Sequence, residues 1–237
     1  MFFLIIIFFL VGVFLLKIYF DKKKLIIISI EGNIGVGKST LVKNLEEKFG
    51  LEMKFLIEPI KVWNQIIDDK GNNILAKFYL DMNRWCYTFQ NIAYVTRLLE
   101  ILKHSNLVSG KKILVLDRSL EADLNIFGKM LYDKNHMEKL EWQCYCQWND
   151  LYKKLIKYDK RKIIYLKSSP EIVFQRIKER NREEELTISI EYIKEIHDRH
   201  ESWLKENKEN IEILTINYDF LGNMDELHNE IRKFILL

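Results

Sequence analysis

The sequence predicts an α/β fold, a five-stranded parallel sheet with helices on both faces, and three observations carry that reading. Short continuous apolar runs recur along the chain, long stretches with helical periodicity separate them, and a glycine-rich turn joins the first run to the first helical stretch. Apolar runs without polar alternation suit strands buried on both faces, as in a parallel sheet whose crossovers cover it.

The chain opens with Phe2–Leu16, an unbroken apolar run that extends to Phe20 if Lys17 snorkels. That is the short edge of the roughly 17–25 residues a membrane span needs. It has no basic leader and no small-x-small cleavage site, unlike a cleaved signal peptide. Residues 1–20 read as a single-helix membrane anchor in preference to a buried strand or helix that continues into the domain or to an upstream start codon that is seldom used, and Lys22–Lys24 just after the run would keep everything downstream in the cytoplasm. Residues 21–237 form the second unit, one compact domain without a repeat period.

Within that domain Leu25–Ile30 reads as the first strand and Ser39–Phe49 as the first helix, which stops at Gly50, a natural residue just past a helix C-terminus. Met53–Ile57, Lys112–Leu116, Lys162–Leu166 and Ile213–Ile216 are the remaining strands. Ile74–Leu102, Met137–Ile156, Glu171–Arg180 and Ser189–Lys205 are amphipathic helices.

Composition narrows the function. With 48% hydrophobic and 30% charged residues the chain can bury a core, and two prolines and nine glycines exclude a low-complexity or linker-rich chain. Lys17, Lys22, Lys23 and Lys24 against Asp21 account for the whole formal charge of +3, so the body is neutral. A neutral body argues against a nucleic-acid partner, since phosphate contacts need an excess of Lys and Arg. Cys86, Cys144 and Cys146 are too few and wrongly spaced for a disulfide framework or a zinc site, and read as reduced thiols.

The first strand runs straight into Gly32-Asn33-Ile34-Gly35-Val36-Gly37-Lys38-Ser39-Thr40, which satisfies G-x-x-x-x-G-K-[ST] and opens a helix. Its glycines let backbone N–H groups turn inward around phosphate oxygens, Lys38 reaches the β- and γ-phosphates, and the Ser39 hydroxyl ligates Mg²⁺. The motif points to a nucleoside triphosphate and leaves the acceptor open. At the end of the second strand stand Glu58 and Pro59, followed by Trp63, which puts a carboxylate in the cleft as a general base for a hydroxyl. At the end of the third stand Asp117, Arg118 and Ser119, an acid suited to organising Mg²⁺ and an arginine suited to phosphate charge.

Together these residues resemble the deoxynucleoside kinase family, whose members phosphorylate the 5′-hydroxyl of a deoxynucleoside with ATP and Mg²⁺. The resemblance covers nearly all of residues 25–237. It implies that Glu58 is the catalytic base and that Arg118 serves both catalysis and substrate. It places Trp63, Tyr79, Phe89, Gln90 and Phe127 around the nucleoside, with Tyr79 and Glu185 on the sugar 3′-hydroxyl, Gln90 on the base and Phe127 stacked under it. The lid of the family matches Arg176 to Glu185, and the resemblance gives Arg176, Arg180 and Arg182 the transferring phosphoryl group. Arg97 and Asp123 match the pair carried by members that take deoxycytidine or purine deoxynucleosides, where thymidine-accepting members have smaller or apolar residues. A homodimer through long helices is also implied, with Trp142, Tyr145 and Trp148 facing it or a core. The adenine loop falls near Asn217–Phe220, and His197 and His200 read as packing or surface residues.

Two other functions fit parts of the pattern. A nucleoside monophosphate kinase of the thymidylate kinase type needs a fixed cation before the Glu-Pro step, and this chain has Ile57 there. An idle, membrane-tethered nucleotide-binding module would have no need of Lys38, Ser39, Glu58, Asp117, Arg118 and the lid arginines together.

Overall fold

The structure, a computed structural model, describes residues 25–105, 113–219 and 223–237. The expected anchor over residues 1–20 lies outside the described residues, as do Lys112 and Phe220. Among the described residues no helix is long and apolar enough to cross a membrane.

Five strands, β1 (Ile26–Gly32), β2 (Lys54–Leu56), β3 (Ile113–Asp117), β4 (Lys160–Lys167) and β5 (Glu212–Asn217), pair in parallel in the order β2-β3-β1-β4-β5. Alternate side chains feed opposite faces of the sheet. On one face Ile27, Leu114 and Leu116 join Tyr94, Leu98 and Tyr145, while on the other Ile28, Ile30, Val115, Ile164 and Leu166 join Leu41, Leu45 and Val173. A strand that must be apolar on both sides shows no alternation, which is why the runs were continuous.

The helices are α1 (Lys38–Phe49), α2 (Ile60–Gln65), α3 (Ile74–Leu80), α4 (Met82–Ser105), α5 (Leu120–Ala122), α6 (Lys129–Asp133), α7 (Lys139–Leu155), α8 (Pro170–Arg180), α9 (Ile190–Asn207) and α10 (Met224–Leu236), and Asp123–Gly128 form a π-helical stretch between α5 and α6. Two expectations need correcting. The stretch Ile74–Leu102 is two helices, because Asp81 leaves the helical region and its carboxylate accepts from the Arg84 N–H at 3.2 Å, opening a new helix. Gly50 does close α1, but in the right-handed region at φ −61°, so its glycine freedom is not used.

β1 is central, and the chain crosses to opposite sides of it before and after β3. The crevice beyond such a switch point is where ligands sit in open α/β sheets. The phosphate-loop motif leaves β1 at that point.

Candidate active site

The carboxyl ends of β1, β2 and β3 open into a cleft of about 430 Å³. At its floor the loop turns through Gly32 and Gly37, at φ 144° and 113°, conformations that L side chains rarely adopt. Space forbids a side chain as well, since a Cβ would stand 2.7 Å from the Leu166 carbonyl at Gly32 and 2.9 Å from the Tyr218 ring at Gly37. Asn33 pins the loop to α9, its amide donating to the Ile193 carbonyl at 2.8 Å. Lys38 Nζ donates to the Gly32 and Asn33 carbonyls at 3.1 and 2.8 Å. Burial, with help from the nearby Arg118 charge, lowers the Lys38 pKa to about 7. Ile34 to Thr40 line the cleft, while Gly32 and Asn33 form the turn behind it.

Behind Lys38, the Ser39 hydroxyl donates to Asp117 Oδ2 at 2.6 Å, and Asp117 Oδ1 is buried without a hydrogen-bond partner. Burial and the Glu58 charge raise the Asp117 pKa. This hard-oxygen pair with an unspent lone pair fits Mg²⁺. Among the described residues no cluster of three metal-ligating side chains exists, so most of such an ion's coordination would come from phosphate and water.

Across the cleft, Glu58 follows β2 at the mouth of α2. Burial pushes its pKa up, but the charges of Arg97, Arg118 and Lys38 outweigh that and hold it below the ordinary carboxylate value. Arg97, buried on α4, bridges two carboxylates, pairing with Glu58 and with Asp123 at 2.6 Å. The pairing with Asp123 follows the sequence expectation, and the link to Glu58 is new. Burial raises the Asp123 pKa to about 6 against the pull of Arg97. Arg118 sits at φ 74°, a left-handed conformation unusual for arginine. Its N–H bonds the Ile30 carbonyl at 3.1 Å, and its guanidinium lies 4.1 Å from the Phe127 ring centre.

The apolar end is an aromatic wall. Phe89 stacks on Phe78 at 4.7 Å and meets Trp63 edge-on at 5.3 Å, and the Trp63 indole donates to Thr96 Oγ1 at 3.0 Å. Gln90, buried beside Phe89, faces the cleft, and Tyr79 borders it near Glu185. On the lid side Arg180 pairs with the buried Glu185, and Arg182 reaches the same carboxylate at 3.3 Å. Arg176 stands apart from them. It donates to the backbone carbonyls of Val36, Tyr218 and Asp219 at 2.9–3.2 Å, tying the phosphate loop to the segment after β5.

Every residue expected to meet triphosphate or nucleoside thus borders this cleft or, like Gly32, Asn33 and Asp117, stands directly behind it. Sequence reasoning missed Leu75, Phe78, Ala93 and Tyr192, which also line it. Ala93 was findable, lying one helical turn from Gln90 and from Arg97. Tyr145 is wholly buried, not an interface residue, whereas Trp142 stacks on Tyr132 and Trp148 donates to Asn91 at 2.6 Å. His200 is a buried packing residue against Tyr165 and Phe127.

Comparison with known proteins agrees with this geometry. The deoxynucleoside kinase family model matches residues 28–236. A mitochondrial deoxyguanosine kinase from Xenopus laevis is 35% identical, over 88% of this chain and 89% of its own. A fowlpox virus protein named as a probable deoxycytidine kinase is 38% identical over 81% and 78%, and deoxycytidine kinase 1 from Xenopus laevis is 35% identical over 90% of each chain. With a family match that begins inside β1 and ends in α10, and a cleft built as above, the chain belongs to the deoxynucleoside kinase family and is an ATP-dependent kinase.

Proposed function

We propose that the triphosphate of ATP lies on residues 32–40 and that a deoxynucleoside lies along the aromatic wall, its 5′-hydroxyl at Glu58 and its base at Gln90. Glu58, held ionised by Arg97 and Arg118, takes the hydroxyl proton as the oxygen attacks the γ-phosphorus. The new O–P bond forms while the bond to the β,γ-bridging oxygen breaks, giving the 5′-monophosphate and ADP. Arg118, Arg180 and Arg182 offset charge on the moving phosphoryl group, and Tyr79 and Glu185 hold the sugar. Mg²⁺ at Ser39 and Asp117 would neutralise phosphate charge when bound. Arg176 acts on the loop rather than on phosphate, given its three carbonyl partners.

The observation that carries this reading is the convergence of Lys38, Glu58, Arg118 and Gln90 in one cleft. A coupled assay of ADP release with the four deoxynucleosides and thymidine monophosphate tests it. Turnover is expected with deoxycytidine or a purine deoxynucleoside, because the Arg97–Asp123 pair crowds the space a thymine methyl would need. Turnover with thymidine monophosphate alone would refute it, and Ile57 before Glu58 supplies no cation for a second phosphate.

Residues 1–20 tether this domain to the cytoplasmic side of a membrane, a reading supported by the Phe2–Leu16 run and Lys22–Lys24. Full-length chain should resist carbonate extraction and a chain lacking residues 1–20 should not, and a full-length chain left wholly in the supernatant would end that reading. Self-association through α4 and α7 is supported by exposed Leu99, Leu140, Leu151 and Leu155, and a monomer mass in sedimentation at micromolar concentration would exclude it.

A further inference from the structure

The base-facing end of the cleft rests on a residue outside its lining. Tyr145 on α7 is 0% exposed, and its hydroxyl donates to Gln90 Oε1 at 3.2 Å. The ring reaches that position through Gly128, the last residue of the π-helical stretch, where a Cβ would stand 2.5 Å from Tyr145 Cε1. Tyr94 closes the other side, edge-on at 5.6 Å. Burial, reinforced by the Asp123 charge, holds the phenol far above its ordinary pKa, so it remains a neutral O–H donor at any working pH.

A glutamine amide offers one acceptor oxygen and two donor hydrogens, and it recognises a base edge only when that order is fixed in space. Among the described residues, the hydrogen bond that orients the Gln90 amide against this wall of aromatic rings is the one from Tyr145. Resting on the reading that Gln90 meets the base, we propose that Tyr145 is a positioning residue for base recognition. Its O–H occupies one lone pair of Gln90 Oε1, and the amide N–H pair and the second lone pair are left for the base. The π-helical stretch serves the same end, since it brings Asp123 toward Arg97 and presents Gly128 to Tyr145.

The test is Tyr145→Phe, which keeps the ring and removes the hydroxyl. KM for the best deoxynucleoside should rise about three- to tenfold, the usual worth of one hydrogen bond. Change in kcat should stay within about twofold, KM for ATP should hold, and the spread of kcat/KM across deoxycytidine, deoxyadenosine and deoxyguanosine should narrow. In a Gln90→Ala background the same substitution should add nothing further. Tyr94→Phe, which removes a neighbouring hydroxyl bonded to Asn149 at 3.5 Å, is the matched control and should leave the spread unchanged. A Tyr145→Phe enzyme with unaltered KM and spread, or one whose constants for ATP and all nucleosides worsen equally with a lowered Tm, would overturn the proposal while leaving Gln90 in its role. A Gln90→Ala enzyme with unaltered nucleoside constants would remove both.

Discussion

Binding of ATP should draw a proton onto Lys38. In the free enzyme burial and the Arg118 charge set the Lys38 pKa at about 7. At pH 8 such an ammonium is about 10% protonated, and at pH 6 about 90%. A triphosphate laid across the loop adds several negative charges within reach of Nζ and favours the charged form. Binding at pH 8 should therefore take up about 0.9 proton per site, and binding at pH 6 about 0.1. The sign follows, because the complex holds more protons than its parts above pH 7. Affinity for ATP should fall as pH rises, by about fiftyfold between pH 7 and 9 if no other group intervenes. Isothermal titration with ATP and excess Mg²⁺ at pH 8, repeated in buffers of different ionisation enthalpy, gives the proton count as a slope. ATP itself is fully deprotonated there and contributes nothing. A slope under about 0.2 proton, or a proton released, would show that Lys38 is already charged in the free enzyme and that its burial does not hold it near neutrality.

Other expectations test the rest of the site. Glu58→Gln should keep nucleoside affinity and lower kcat about 10²- to 10⁴-fold, and near-normal turnover would remove Glu58 as the base. Arg97→Met combined with Asp123→Ala should raise thymidine phosphorylation relative to deoxycytidine. Because Arg97 bridges the buried Asp123 and the half-buried Glu58, Arg97→Met alone should lower Tm more than the double variant does, and additive losses in thermal unfolding would contradict the bridge. Gly37→Ala meets both a positive φ and the Tyr218 ring, so it should cost about 1–3 kcal/mol in denaturant unfolding and raise KM for ATP.

The sheet was legible because β1, β3 and β4 are buried on both faces and the edge strands are still rich in apolar residues, and all five expected runs overlap the observed strands. The triphosphate loop was legible because its chemistry is local, with glycines, lysine and serine contiguous between strand and helix. The stretch from Leu120 to Asp133 was not read as an element, since a π-helical insertion breaks the 3.6-residue period that a helix is recognised by. The C-terminal α10 carried a usable signal that went unread: Asn223 caps it, its side chain accepting from the Asp225 N–H at 3.0 Å, and Asp225 and Glu226 occupy the first turn. Within the site, the family resemblance paired Arg97 with Asp123 but gave no hint of Arg97 with Glu58, which needs the β2 edge brought against α4 by the fold. Tyr145 escaped for the same reason, lying 55 positions from Gln90.

The left-handed backbone at Arg118 has a consequence for how this enzyme can vary. An arginine at φ 74° gives up about 1 kcal/mol or more that a glycine at the same place would keep. Glycine would therefore be favoured at position 118 by stability alone, yet it would delete the guanidinium held over Phe127 beside the phosphate loop. Stability and catalysis pull this one position in opposite directions, so the native sequence lies below the stability its own backbone could reach. Selection for thermal endurance without selection for activity should drift toward glycine there, and activity would be the first property lost.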